Sequence, residues 1–411
     1  MSEPGPDARS WTSRLVVLAV AGAVAVSVIY LPQSLLTNLA TDLGVPAGRA
    51  GLVATAVQAG YALGILLLVP LADRVQPRRQ VTVQSLLLAG ALAASAALPG
   101  VPSLVLGFAV VGLVANIAQV IIPAAARMAP EGRGGATTAT MVGSLSMGIF
   151  GGRILASLAV DVVGWRWVVV GFAALVLATV PFTRRALDTE LELAAARVRY
   201  PQLLGSTLRL VRRSPELWQS GLMQFFVFAT FNSAWTVMVL HLTDPPFGWT
   251  VRAAGLFGLV GLAAAAVTPL AGRLLDRFGP LPVSGAALTL MLVAMGTVIV
   301  DSTMLVPFAS SMFLATAAGQ AHQSANQNRI LAANPGSAAQ ANTVFMFFVF
   351  LGGSAGAYLG PAAYAGGGMS RVAQLDCVLL ALALLAWAWT MASSRRAAAS
   401  APVLVGSAQD R

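Results

Sequence analysis

The sequence is poor in charge. Only 10% of the 411 residues are charged, whereas 57% are hydrophobic. Because a soluble domain has roughly 25% charged residues, this composition excludes an ordinary soluble protein. Lysine is absent, so the 25 basic residues are all arginine, and their excess over 15 acidic residues gives a net charge of +10. What that excess means depends on where the arginines lie along the chain.

Residues that often carry out chemistry are also scarce. The one cysteine, Cys377, excludes an intrachain disulfide and a cysteine metal cluster. There are two histidines, and the polar loops contain no Walker-type nucleotide loop and no catalytic cluster. We therefore expect a protein that is not an enzyme, that needs no cofactor or metal, and that is not driven by ATP.

Long apolar runs are abundant. A membrane-spanning helix needs about 20 apolar residues, and the chain has twelve continuous runs of this kind, whereas a transmembrane β-barrel would have short alternating segments. The runs cover residues 14–40, 50–72, 81–99, 103–126, 137–160, 166–183, 216–241, 252–272, 281–300, 303–328, 341–363 and 372–392. The sequence predicts an all-α membrane protein with twelve transmembrane helices, which are called spans one to twelve below.

The arginines are divided unevenly between the two sides of such a protein. With the N-terminus in the cytoplasm, 20 arginines fall in cytoplasmic segments and 4 in external ones, which leaves Arg153 inside span five. Cytoplasmic loops of membrane proteins are enriched in basic residues. The bias predicts a multi-pass plasma-membrane protein with both termini in the cytoplasm, and it explains the basic charge without nucleic acid as a partner.

The two halves of the sequence repeat each other. Leu-Ala-Asp-Arg at 71–74 matches Leu-Leu-Asp-Arg at 274–277, an offset of 203 residues, and Phe-Gly-Gly at 150–152 matches Leu-Gly-Gly at 351–353, an offset of 201. Parallel repeats of this kind are typical of transporters. We predict two six-helix bundles joined by a cytoplasmic linker and flanked by cytoplasmic tails. The bundles are 14–183 and 216–392, the linker is 184–215, and the tails are 1–13 and 393–411.

Both repeated Asp-Arg pairs lie in loops that resemble the signature G-x-L-x-D-R-x-G-R-K/R of the major facilitator superfamily. The copies read VPLADRVQPRRQ (69–80) and GRLLDRFGP (272–280). The first departs from the signature because Val69 and Gln76 replace its glycines and Pro77 replaces a basic residue. An acid at a helix end can pair with cations or with a facing helix N-terminus, and so hold the halves together in one state. The predicted gating residues are Asp73, Arg74, Arg78, Arg79, Asp276 and Arg277. Anchoring of the loops by arginine alone would explain the basic residues but not the paired aspartates.

Most of residues 14–392 resembles one branch of that superfamily, the bacterial drug:proton antiporters and sugar-efflux-like permeases. The resemblance is carried by GYALGILLLVPLADR (60–74), LSMGIFGGRILAS (145–157) and NTVFMFFVFLGGSAGAYLG (342–360). It implies proton-coupled efflux of a small molecule by alternating access. One departure is that such antiporters often have a Gly-Pro pair in span five, whereas here two glycines are followed by Arg153.

The resemblance also implies that spans one, four, seven and ten line a central cavity. Polar side chains are concentrated on these spans, which fits a shared substrate path. Hydrogen bonding between helices, worth about 0.6 kcal/mol per contact, is the alternative for any one of them. The predicted pathway residues are Tyr30, Gln33, Asn116, Gln119, Arg153, Gln224, Asn232, Trp235, His322 and Asn326.

A proton carrier is harder to find. His322 titrates near neutral pH in water and is a candidate, although a neutral hydrogen-bonding histidine explains it equally. The acids Asp42, Asp161, Asp301 and Asp376 are all expected near outer helix ends, so none is expected within a span. Proton coupling therefore follows from the resemblance alone.

Arg153 is the only charged residue between Thr137 and Val160. Its position, roughly 6 Å from the midplane of a 137–160 helix, costs about 2.5–3.5 kcal/mol on the scale of helix insertion. Three interpretations are open: it binds a substrate group, it is a structural pin that pairs with Asp161 or a neighbouring polar group, or it controls the protonation of a nearby acid. Each requires it to face the protein interior.

These observations predict a monomeric secondary transporter that exports a small organic solute in exchange for protons. Uptake or uniport by the same fold is the alternative, and a non-transporting membrane sensor is another. The substrate is open between sugars, amino-acid derivatives, weak acids and neutral toxins. The single arginine argues against a multiply cationic drug.

Overall fold

The first half of the chain is a series of helices. The computed structural model describes residues 6–187 and 199–399, and every regular element within them is helical. The first seven helices are α1 Pro6–Ser34, α2 Leu36–Asp42, α3 Ala47–Leu68, α4 Pro77–Ala96, α5 Val101–Val114, α6 Ile117–Met128 and α7 Gly134–Ala186, with a 3₁₀ helix at Val69–Asp73. Several begin with proline in their first turn, where the missing N–H has no helical partner to lose.

The second half has the same character. Its helices are α8 Tyr200–Arg213, α9 Pro215–Thr236, α10 Met238–Thr243, α11 Val251–Gly255, α12 Gly258–Ala266, α13 Thr268–Phe278, α14 Pro280–Val300, α15 Leu305–Ala333, α16 Ala338–Ala365 and α17 Gly368–Ala399, with a 3₁₀ helix at Pro335–Ser337. The predicted tails and linker fall partly outside the described residues. Within them, α1 and α17 extend into the predicted tails, and α8 forms the later part of the linker.

The 53-residue helix α7 contains a chain reversal. Gly164 has φ 78° and ψ 158°, which is not helical. Gly148 faces Ala23 of α1. Val176 lines a small cavity together with Ala21 and other residues of α1. In a straight helix Gly148 and Val176 would be roughly 42 Å apart. The chain therefore turns back at Gly164, and α7 supplies both span five and span six.

The structure is an all-α membrane protein. Within the described ranges, nine helical stretches are long and apolar enough to cross a membrane, and α7 is one of them. The helices α4 and α15, of 20 and 29 residues, occupy the positions of spans three and ten. With α7 folded back on itself, this order is consistent with twelve spans. Many leucine and valine side chains face outward, as a lipid-contacting surface requires.

Glycines let the helices of each half approach closely, and the two halves do this in the same way. Backbone contact through small residues is a general basis of helix packing in membranes. The facing pairs are Gly148 with Ala23 and Gly152 with Ser27 in the first half, and Gly352 with Phe225 and Gly356 with Ala229 in the second. The glycines are 204 residues apart and their partners 202, so the sequence repeat is also a repeat of packing.

One such contact gives a test of the fold. A Cβ on Gly112 of α5 would collide with the backbone of Val57 on α3, whereas a Cβ on Gly143 of α7 meets no atom within 4 Å. We expect Gly112→Ala to destabilise the protein by about 1–3 kcal/mol. Gly143→Ala, which makes the same chemical change, should be neutral or slightly stabilising. Thermal unfolding of both purified variants measures this, and equal melting temperatures would contradict the predicted close packing.

The two halves meet along two flanks. We call the membrane side that carries α8 the linker side. On one flank, α3 and α16 pack along their lengths, where Ser354 Oγ donates to the carbonyl of Thr55 (3.1 Å) and Tyr61 contacts Phe350. On the other, α7 packs against α11 and α12, while α13, nearer the linker side, packs on α14 and α15. Along this flank α11 and α12 contact the first half, whereas α13 packs on helices of its own half. We infer that the halves are joined at the side opposite the linker and diverge towards the linker side.

Candidate substrate cavity

A cavity of about 110 Å³ lies between the two halves. Its wall comes from α1, α6 and α7 of the first half and from α9, α14, α15 and α16 of the second. Most of the wall is apolar, and the polar side chains form a minority of it. An apolar enclosure with a few polar groups is typical of a small-molecule site.

The structure brings some of the predicted pathway residues to this cavity. Tyr30, Gln119, Gln224 and Trp235 line it directly. A second cavity of about 20 Å³, lined by Gln33 and Arg153, adjoins it, and Trp235 borders both. These residues come from both halves of the chain, and sequence spacing alone does not show which of them meet.

Arg153 is buried, with 6% of its surface exposed. Its Nη2 donates a hydrogen bond to Oε1 of Gln33. The other two nitrogens, Nε and Nη1, are buried and have no hydrogen-bond partner in the described part of the chain. Within the same residues no carboxylate forms an ion pair with it, and Asp161, the partner considered from the sequence, is exposed. The guanidinium is a buried cation without a counter-ion among these residues.

Four aromatic rings surround this guanidinium. Its carbon lies 4.9 Å from the ring centre of Tyr30, 5.1 Å from Trp235, 5.7 Å from Phe231 and 5.8 Å from Phe150. Aromatic faces attract cations by about 0.5–2 kcal/mol each, more strongly where water is excluded. The rings therefore offset part of the desolvation cost, and all four also line the larger cavity.

Amide side chains connect the arginine to the second half. Gln33 Nε2 donates to Oδ1 of Asn232 (2.8 Å), and Gln58 Nε2 donates to the same oxygen (3.3 Å). Asn232 is held in place because its own Nδ2 donates to the carbonyl of Phe228 (3.1 Å). We call the Gln33–Asn232 and Gln58–Asn232 contacts the inter-half bonds. They join span one and span two to span seven.

Four predicted pathway residues line neither cavity: Asn232, which forms the inter-half bonds, and Asn116, His322 and Asn326. Asn116 accepts from Gln84 (2.9 Å) and donates to the carbonyl of Leu113 (2.7 Å), within the first half. His322 is hydrogen-bonded to Ser284 (3.0 Å), and Asn326 contacts both of them. These are contacts between neighbouring helices of one half, as the alternative interpretation of polar residues in spans expects.

Comparison with known proteins fits this architecture. The family model described as Major Facilitator Superfamily matches residues 16–357. The chain belongs to the major facilitator superfamily. A protein of Streptomyces coelicolor named "Probable transporter SCO4007" is 33% identical over 366 residues, which cover 88% of this chain and 84% of that protein. The "Uncharacterized transporter YgaY" of Escherichia coli O157:H7 is 30% identical over 376 residues, 91% of this chain and 94% of that one.

Solved structures of the superfamily share the fold. The nucleoside transporter NupG superposes with a TM-score of 0.69 over 93% of this chain and 99% of its own, at 13% identity. At that identity the likeness concerns the fold. This major facilitator protein is therefore a membrane transporter by family, and its substrate has to be argued from its own cavity.

The two copies of the loop signature have different surroundings. Asp73 is half-buried at the end of its 3₁₀ helix, where the charge of Arg127 acts on it and α16 packs nearby. Asp276 and Arg277 are exposed on α13, on the flank where the halves diverge, and the guanidinium of Arg277 lies 5.1 Å from the ring of Phe278. Arg74 and Arg78 are half-buried and Arg79 is exposed.

The four acids expected near outer helix ends differ in their surroundings. Asp42 is paired with Arg166 (3.4 Å) and accepts from Trp165 (2.8 Å). Asp301 accepts two hydrogen bonds from Thr303, which lower the pKa of that carboxyl. Asp161 is exposed.

Asp376 corrects the expectation that no acid lies within a span. It is 0% exposed, and its Oδ1 is hydrogen-bonded to Ser233 of α9. Its Oδ2 is buried and has no hydrogen-bond partner among the described residues. The expectation is wrong because the apolar run places the start of span twelve at 372, whereas α17 starts at Gly368 and places Asp376 about 12 Å along the helix.

Proposed function

We propose that this protein exports a small organic solute across a bacterial plasma membrane by alternating access, in exchange for protons. The proposal rests on the cavity between the two halves. On the flank formed by α7, α11 and α12, the halves are in contact at the side opposite the linker and diverge towards the linker side. Such a cavity can change its accessible side when the halves rock. Under this proposal the protein is a monomer, and it is not an enzyme.

Two features support export: the side from which the cavity is accessible, and the positive charge of the loops on that side. The arginine bias supports a cytoplasmic linker side, so the flank that diverges would give access from the cytoplasm. A solute would then enter from the cytoplasm, meet Tyr30, Gln119, Gln224 and Trp235, and leave after the halves rock. The inter-half bonds and the Ser354–Thr55 contact would have to break in that step.

The two copies of the loop signature would act when the linker side closes. With Asp276 and Arg277 exposed on α13, the second copy makes no ion pair with the first half among the described residues. When the linker side closes, α13 would approach α7 and bring these charges into contact with the first half. On the flank of α16, the charges of the first copy would contact the second half in the same way; these residues are Asp73, Arg74, Arg78 and Arg79.

A hydrogen count supports Asp376 as the proton-carrying group. The Ser233 hydroxyl has one proton to donate, yet its Oγ contacts both the carbonyl of Thr230 (2.9 Å) and Oδ1 of Asp376. If the serine donates to the carbonyl, the second contact needs a proton from the carboxyl. A protonated Asp376 is therefore compatible with both contacts. It also avoids an unpaired buried carboxylate, because no cation of the described residues pairs with it.

Vesicle transport tests the proposal. In inside-out vesicles with an acidic interior, we expect at least one labelled compound from a panel of weak acids, sugars, amino-acid derivatives and neutral toxins to accumulate above vesicles without the protein. A protonophore should abolish the accumulation, because it removes the gradient. Accumulation only when the exterior is acidic would indicate co-transport with protons and therefore uptake, and accumulation that ignores the protonophore would contradict proton exchange. No movement of any compound in either orientation would favour a non-transporting role.

A further inference from the structure

The strongest unexplained feature of the molecule is the set of unused donors on Arg153. A guanidinium has five N–H groups, and among the described residues only one of its three nitrogens has a partner. The residue is more than nine-tenths buried. A buried charge with unused donors is costly unless something pairs with it. The second cavity, at about 20 Å³, is lined in part by Arg153.

The geometry of the free donors selects the ligand group. Nη2 shares one fork with Nε and another with Nη1, and each fork matches the two oxygens of a carboxylate. Nε and Nη1 are free of partners in the described part of the chain, and one of the two N–H groups of Nη2 is bonded to Gln33. A carboxylate can therefore bind two N–H groups in one fork directly, and in the other fork after displacing Gln33. A neutral amide or hydroxyl group offers only one oxygen to the same fork.

The surroundings select the charge and the body of the ligand. Of the described residues, Arg153 is the only cation that lines either of the two cavities, so one negative charge would be neutralised and a second would not. The remainder of the wall is mostly apolar or aromatic, with Phe150, Phe231 and Trp235 beside the guanidinium. This wall suits an apolar or aromatic body rather than a polyhydroxylated one.

We propose that the cavity binds a small organic monocarboxylate, whose carboxylate pairs with Arg153 and whose apolar body lies against the surrounding rings. This inference rests on the proposed function, because it names the substrate class of the same site. Trp235 borders both cavities, so a movement of its ring would connect them and bring the carboxylate to the guanidinium. The Thr316 hydroxyl that accepts from its Nε1 (3.3 Å) forms a long bond that can break.

Binding would also weaken the contact between the halves. A carboxylate in the fork whose Nη2 N–H already binds Gln33 competes with Gln33 Oε1, and Gln33 is the residue that donates to Asn232. A carboxylate that displaces Gln33 from the arginine releases the side chain that holds the inter-half bond. The ligand would thereby favour the opening of the side opposite the linker.

Thermal shift with matched probes tests the inference on the purified full chain. Benzoate and phenylacetate should raise the melting temperature with concentration, because a ligand of the folded state stabilises it, whereas benzamide and phenylacetamide should not. Arg153→Met should weaken carboxylate binding by at least about 30-fold. Arg371→Met, which removes an exposed arginine bonded to Gln374, should leave binding unchanged.

Three results would overturn the inference: no shift with either carboxylate, equal shifts with acids and amides, or unchanged carboxylate binding in Arg153→Met. A flux assay of the bound acid in proteoliposomes separates this from the proposed function. Binding through Arg153 without flux would leave the site intact and contradict transport. Flux of a neutral solute without carboxylate binding would leave transport intact and contradict the substrate class.

Discussion

Replacing Arg153 with methionine is expected to abolish transport while the melting temperature stays at or above that of the wild type. Methionine is a flexible apolar side chain that can fill the space among the rings. The substitution removes a buried charge that has no counter-ion among the described residues, and it loses one hydrogen bond to Gln33 and the ring contacts. Removing the ion removes a desolvation cost of several kcal/mol. The interactions that are lost, a charged hydrogen bond of about 1.5–3 kcal/mol and the attraction of the rings, are of comparable size.

A structural pin would behave in the opposite way. Removing one partner of a buried ion pair typically costs about 3–5 kcal/mol, which lowers the melting temperature by several degrees. Arg166 provides a paired but partly exposed comparison: 40% of its side chain is exposed, it pairs with Asp42, and it donates to the carbonyls of Ala96 (3.1 Å) and Leu98 (3.2 Å), so its loss should cost less than that of a buried pair. We expect Arg166→Met to lower the melting temperature and to retain transport.

Two measurements on each variant decide between these interpretations: thermal unfolding without substrate, and flux in proteoliposomes of equal protein content. If Arg153→Met melts like Arg166→Met and still transports, the arginine is a pin and the substrate interpretation is wrong. Arg153→Lys adds a graded result, because lysine keeps the charge but lacks the fork. It should transport more slowly than wild type and faster than Arg153→Met.

The sequence predicts the fold well because the membrane imposes simple rules. Long apolar runs define helices, and repeated Asp-Arg pairs indicate duplicated halves. The same runs do not fix where a helix begins, and an error of four residues at α17 moved Asp376 from a helix end to the interior. Ser370, Arg371 and Gln374 precede Asp376, so no apolar run indicates the additional helical turn.

The site was predictable only in part, because helix identity does not give helix rotation. Asn116 and His322 lie on spans expected to line the cavity, but each turns towards a polar partner in its own half, Gln84 and Ser284 respectively. The contact of Arg153 with Gln33 joins residues 120 positions apart. Which polar groups meet across such distances depends on packing, which a single sequence does not specify.

Replacing Asp376 with asparagine is expected to remove the dependence of transport on a proton gradient and to leave the fold intact. Asparagine has the shape of a protonated aspartate, and its amide can still donate to Ser233 Oγ while the serine donates to Thr230. It cannot gain or lose a proton. Gradient-driven accumulation should fall at least about tenfold, while exchange of labelled for unlabelled substrate, which needs no net proton movement, should continue.

The position of Asp376 supplies a physical route for such coupling. Ser233 follows Asn232 in α9, so the residue that contacts the carboxyl is adjacent to the residue that holds the inter-half bonds. The helix α9 ends at Thr236 and α10 begins at Met238, which leaves a break one turn beyond. Loss of the proton would place an unpaired charge beside Ser233 and disturb the turn that carries Asn232.

Within the described part of the chain, the surroundings of Asp376 contain few other titratable groups. The helices packed against α17 are α9, α14 and α16, and among the described residues the titratable neighbour of Asp376 is the Cys377 thiol.

Asp301→Asn is the matched control, since Asp301 lies outside the helices, is only half-buried, and its carboxyl accepts from the loop residue Thr303. It should leave both accumulation and exchange unchanged. If Asp376→Asn still accumulates substrate against its gradient when the interior is acidic, the buried carboxyl is structural and protons are carried elsewhere. If it loses exchange as well as accumulation and melts at a lower temperature, the Ser233 contact stabilises the fold rather than couples it. Only the loss of accumulation with exchange and melting temperature preserved assigns the proton to Asp376, because only a carrier separates the two activities.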